Sequence, residues 1–295
     1  MANDYKVRRR GGFLDRNGIA PINKTLQIDE FEPGTRVALK NKTVRFLNDY
    51  ESFLRTTNCI SLTEMGHQLA EELFGISITS REATYEGMLL KIYGVFDECT
   101  YGEILDTIEY LVSTFKIPTA YSYYGARSNT FRDIEGEYNE VFEREYVGYR
   151  FVKGIITPIT NPEETSEVAQ AVSSPYEKVS GHMVKAVQLF SSRDPSNYKT
   201  VIAECSHALE CLLNILSKKT KKTLGEALDE YLKSKQNVHP AFAKSIKDFY
   251  GYASDSPGIR HDGNGPDFGE GFDETKLVLV YTSAIINYLV ATARK

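Results

Sequence analysis

Apolar positions recur along this chain at the three-to-four spacing of amphipathic helices, in one segment after another. Val37, Leu39, Val44, Leu47, Tyr50, Phe53 and Leu54 draw one such face and predict a long helix from Arg36. Ser61-Leu62-Thr63-Glu64 offers a second start, with Ser61 as cap and Glu64 three residues on, for a helix running to about Phe74 and closed by Gly75. Further helices are predicted from about Arg81 to Phe96, from Tyr101 to Phe115 and from Phe131 to Tyr146, the last rich in Glu and Arg on its outer face. Residues 1–35, with glycines and prolines spaced through them, predict an irregular arm laid over this first group of helices.

The period changes at Tyr149–Ile159. Two short β-prone runs flank Lys153-Gly154 and predict a small hairpin, with Pro158 confining its second strand to an edge. Asn161-Pro162-Glu163-Glu164 then caps a new helix. Helical patterns follow over about 162–173, 175–192, 197–217, 223–235, 239–253 and 273–293. The fold class expected is therefore mainly α: an N-terminal helical domain over 1–147, a hairpin junction over 148–160 and a C-terminal helical bundle over 161–295.

Composition narrows the setting. At 295 residues, with 41% hydrophobic and 25% charged residues, the chain reads as an ordinary soluble protein of two domains. A net charge of −5 argues against a surface that coats duplex DNA, though not against a local basic groove. Cys59, Cys99, Cys205 and Cys211 show no zinc spacing, and a cytoplasmic setting fits this usage. No signal peptide follows Arg8-Arg9-Arg10, and the apolar run Leu277–Ala291 is too short to span a bilayer, so it predicts a buried helix and no membrane partner.

Candidate chemistry is sparse. Glu204 and His207 form a Glu-x-x-His pair on one helix; a carboxylate-bridged metal site needs a second such pair and two further glutamates. No second copy exists, so no metal and no cofactor is expected. Tyr121–Asn129 mixes tyrosines with Arg127; such a loop either packs on its domain or offers a stacking platform to single-stranded nucleic acid. No Walker or Rossmann glycine motif and no nucleophile elbow occurs.

The remaining stretch is Asp255–Asp267, a turn-forming segment before the last helix that carries adjacent Arg260 and His261. Two readings stay open for this pair. The side chains tie down the loop, or they act on an RNA phosphodiester: His261 moving a proton to or from the 2′-hydroxyl or the leaving oxygen, and Arg260 stabilising charge on the phosphorane.

The order of these stretches resembles the AbiJ-like abortive-infection proteins of bacterial anti-phage defence. The likeness is carried by "RVALKNKTVRFLND", "YRFVKGIITPIT", "NYKTVIAECSHALECLLNIL" with "KTLGEAL" after it, and "DFYGYASDSPGIRHDG" before "LVLVYTSAIINYL". It implies a C-terminal HEPN-type (higher eukaryote and prokaryote nucleotide-binding) bundle, a homodimer, and a metal-independent ribonuclease toxin released by a phage-derived trigger. It also places catalysis in the region of Arg260 and His261; beside them, Asp262 and Asn264 are candidate orienting or ligand-binding groups. The family spaces its arginine and histidine four to six residues apart; here they are adjacent. The alternative is a non-catalytic module of a defence system that binds nucleotide, RNA or protein.

Overall fold

The structure, a computed structural model, describes residues 12–19, 25–57, 61–122, 125–126, 128–217, 240–255 and 271–293. It is mainly helical, as the periodicity predicts, with two small antiparallel two-stranded sheets. The chain divides into two compact units, Met1–Gly154 and Ile155–Lys295.

In the first unit, α1 (Phe13–Arg16) precedes the long α2 (Pro33–Thr57). The irregular arm expected to reach residue 35 ends earlier than that. Pro33 opens α2, because the first helical position needs no amide donor, and Glu32 O accepts from the amides of Thr35 and Arg36. Just before it, Gln27 ties the chain to the unit. Its backbone bridges to Val147, and its buried side chain donates to Thr35 Oγ1 at 2.9 Å and to Glu145 O at 2.6 Å. Leu39, Leu47, Tyr50, Phe53 and Leu54 of the predicted face of α2 are buried, and Phe46 joins them; Val37 is exposed and Val44 half-buried.

α3 (Leu62–Gln68) starts on the expected capping box, with Ser61 and Glu64 bonding each other's backbone amides. It does not run on as α-helix to Phe74. Leu69–Leu73 widens into a π turn, which Gly75 closes at φ +60° while the Ile76 amide reaches back to Ala70 O at 2.7 Å. Gly66 lets α3 cross the start of α4 (Tyr85–Glu98), since a Cβ there would sit 2.5 Å from the Tyr85 amide nitrogen. α4 begins four residues later than expected because Thr84 caps it, accepting from the Gly87 amide. α5 (Tyr101–Thr114) and α6 (Ile134–Arg144) complete the layer. Arg36 of α2 donates to Phe96 O and Cys99 O, meeting the free carbonyls at the end of α4.

β1 (Tyr121–Ser122) and β2 (Gly125–Ala126) form the first sheet, inside the loop where stacking was considered. Tyr121 packs edge-on against Phe53 at 5.1 Å, so this tyrosine belongs to its domain. Tyr123, Tyr124 and Arg127 lie outside the described residues. β3 (Arg150–Val152) and β4 (Ile155–Thr157) form the expected hairpin around Lys153-Gly154. Both turn residues have positive φ, 51° and 87°, which a two-residue turn of right-twisted strands demands.

In the second unit, α7 (Pro162–Val172) is capped by Asn161. α8 (Glu177–Ser191) and α9 (Tyr198–Leu216) make a helical hairpin across the short 3₁₀ turn Pro195–Asn197. α10 (Pro240–Asp255) and α11 (Phe272–Ala293) follow. The pattern expected over 223–235 lies outside the described residues, as do Cys59 and the lysines at 218–222. At 22 residues, α11 is longer than the apolar run Leu277–Ala291, and by length and composition alone it is not too short to cross a membrane. In this unit it packs against α7 and α9 and buries Thr275, Thr282, Ser283 and Asn287 along with its apolar face. Asn287 donates to Glu167 O and Oε2 of α7, and Lys276 pairs with Glu164 at 2.6 Å.

Candidate functional site

Arg260, His261, Asp262 and Asn264 lie outside the described residues, between the end of α10 at Asp255 and the start of α11 at Phe272. The chemistry that the described residues do bring together lies elsewhere in the same unit, on the facing sides of α8 and α9.

Residues three apart share a helix face. His182 and Lys185 are such a pair on α8, and Glu204 and His207 are another on α9. A short connection makes consecutive helices antiparallel, so the two pairs meet head to tail. Lys185 Nζ reaches Glu204 Oε1 at 2.6 Å, and the rings of His182 and His207 lie 5.5 Å apart. On the diagonal, His182 Nδ1 sits 2.7 Å from Glu204 Oε2. An ionised carboxylate only accepts, so the Nδ1 proton of His182 points at Glu204.

The Glu204 side chain is 8% exposed, against 33% for His182 and 57% for Lys185. Burial alone would raise the Glu204 carboxyl. The hydrogen bonds and charges of His182 and Lys185 outweigh that and hold it below its ordinary value. The next residue, Cys205, is fully buried; burial, with the Glu204 charge adding to it, pushes its thiol up to about 12, so it packs as an apolar residue and is no nucleophile. Two imidazoles and a carboxylate thus present ligand atoms all within 4.8 Å of one another. Such an arrangement can share a proton or hold a cation.

The Glu-x-x-His spacing was visible in the sequence, but its completion by His182 was not. The available signal was a second i,i+3 polar pair, His182 and Lys185, on the amphipathic helix that folds back on the first. Only the register of the hairpin shows that the pairs coincide.

The first unit has a different character. A groove of about 460 Å³ between α2 and α6 is lined by Lys42, Arg45 and Arg144, with Glu145 beside Arg144 at 3.0 Å. Just ahead of α6, Arg132 joins Asp49 of α2 and Glu137 of α6, and Glu137 also takes Lys42. Burial pulls the Glu137 carboxyl up, but these cations hold it below its usual range. Positive charge in a groove draws anions.

A family model described as AbiJ N-terminal domain 4 matches residues 12–174, which reach from α1 through the hairpin to just past α7. No curated protein and no solved structure matches the chain.

Proposed function

The chain belongs to the AbiJ N-terminal domain 4 family, and from that membership we propose that it is an effector of abortive infection whose C-terminal unit cleaves RNA. The observation that carries this reading is the match over 12–174, more than half of the chain; most of the helical unit Ile155–Lys295 lies beyond it and is where this reading puts the effector activity. In this reading the first unit senses a phage-derived trigger, and its basic groove between α2 and α6 suits an anionic signal.

The second unit is a HEPN-type bundle that works as a homodimer. His261 takes the proton of an RNA 2′-hydroxyl as it attacks the adjacent phosphorus, and a proton returns to the leaving 5′-oxygen. Arg260 clamps the charge that gathers on the phosphorane. Asp262 and Asn264 orient the pair or the ribose. The sequence around the pair is rich in glycine and proline, and it is this composition ahead of α11, with the resemblance, that supports the assignment.

The test compares wild type with His261→Ala and Arg260→Ala during phage challenge, following cell growth and total RNA integrity. Loss of both protection and RNA cleavage in folded variants is expected. Full protection with either variant would sink the assignment. The adjacency of Arg260 and His261 favours a second reading, a binding module without turnover. Tight association of RNA or nucleotide with intact protein, with no product formed, would decide for it.

A further inference from the structure

We propose that His182, Glu204 and His207 form a divalent-metal site, suited to zinc, that pins α8 to α9 in the C-terminal unit. The expectation of no metal rested on the missing second Glu-x-x-His pair; it left out a histidine delivered by the neighbouring helix.

The donor set is the first argument. Two imidazoles and one carboxylate are the ligand types zinc takes, whereas magnesium and calcium look for oxygen alone. The geometry is the second. Zinc bonds of about 2.0–2.1 Å put tetrahedral ligands roughly 3.4 Å apart. Here the three ligand atoms lie within 4.8 Å of one another, and one pair is already at 2.7 Å. Closing the set takes rotation of side chains on the order of an ångström, with no movement of the helices. The cation replaces the proton now shared between His182 Nδ1 and Glu204 Oε2.

Placement is the third argument. All three ligands stand on two helices packed side by side, so the site is held by rigid elements. Glu204 is buried while His182 is one-third exposed, so the cluster meets solvent on its His182 side. Lys185 is the competing charge, at 2.6 Å from Glu204 Oε1. Its side chain is 57% exposed, so its ammonium can turn to water when the doubly charged ion arrives. The ion then makes the link between α8 and α9 that His182 and Lys185 make through Glu204 without it.

The experiment titrates Zn²⁺ into the full-length, metal-stripped protein against a chromophoric chelator, with Co²⁺ substitution read by its visible absorption. One ion per chain is expected, with a rise in Tm on adding Zn²⁺. His182→Ala, His207→Ala and Glu204→Gln should each weaken binding at least tenfold, while His67→Ala, on α3 of the other unit, binds as wild type does. Helical content of every variant is checked without metal. Should His207→Ala fail to fold, His182→Gln, at a partly exposed position, gives the same reading. Absence of stoichiometric Zn²⁺ uptake, or variants that bind as tightly as wild type, overturns the site.

Discussion

The hydroxyls of Thr43 and Tyr138 meet at 2.8 Å in the buried centre of the N-terminal unit, joining α2 to α6. Both side chains are 0% exposed, so neither hydroxyl can turn to water instead. Burial pushes the Tyr138 phenol well above its usual range, which keeps it a neutral hydroxyl. Tyr138→Phe should therefore cost about 1–2 kcal/mol, mostly from stranding the partner hydroxyl. The double variant with Thr43→Val should cost less than the sum of the single changes. Urea unfolding of the four proteins measures the coupling, and strict additivity would show that the bond contributes nothing.

Two glycines in neighbouring helices should respond in opposite directions to the same change. A Cβ at Gly66 meets the Tyr85 amide nitrogen at 2.5 Å, and backbone cannot step aside as a flexible side chain would. Gly66→Ala should destabilise by about 1–3 kcal/mol. At Gly94, within α4, nothing lies within 4 Å of the added atom. Gly94→Ala should stabilise by about 0.5–1 kcal/mol through helix propensity. Thermal unfolding that moved both in the same direction would contradict the packing at the crossing of α3 and α4.

Thr157 of β4 is 0% exposed, and its hydroxyl has no hydrogen-bond partner among the described residues. Valine has nearly its shape and no polar atom to desolvate. Thr157→Val should raise stability by about 1 kcal/mol, seen as a higher urea midpoint at unchanged slope. A loss of stability would mean that a water or another group serves the hydroxyl.

The Glu204 carboxyl is held below its ordinary value of 4.5, so its ionised form is favoured by folding. That contribution is fully present above about pH 4.5 and is lost as pH falls through the lower folded value. Glu204→Gln should cost roughly 1–2 kcal/mol at pH 7, discounted because His182 and Lys185 keep contact with water. The gap between wild type and variant should narrow as pH drops below 4.5, measured on metal-free protein. A gap that stayed constant down to pH 3 would mean that the carboxylate charge is not what stabilises.

Local signals carried much of the fold. The apolar stripe over Tyr101–Thr114, the Ser61–Glu64 box and the Lys153-Gly154 turn each state their structure within a few residues. What escaped depends on distant partners. The π turn after Gln68 has no composition of its own. Pro33 reads as a breaker until Glu32 is seen closing the first turn of α2. The polar cluster is the sharpest case: Glu204 and His207 are three residues apart and legible together, whereas His182 stands 22 residues from Glu204 and joins only through helix pairing. Arg260 and His261 are proposed by the opposite route, from a segment's composition and a resemblance, and lie outside the described residues.

The matched segment ends at residue 174, although the chain changes units after Gly154. β4 and α7 therefore come with the N-terminal family yet pack in the C-terminal unit, where Glu167 receives Asn287 and Glu164 receives Lys276. Inheritance and folding draw their lines in different places. A recombination event that exchanged everything after residue 174 would leave Val168, Ala171 and Val172, all buried here, waiting for a replacement that fits them. α7 is thus a socket: another C-terminal segment could be joined to this chain after residue 174 only if its own helices completed that apolar face.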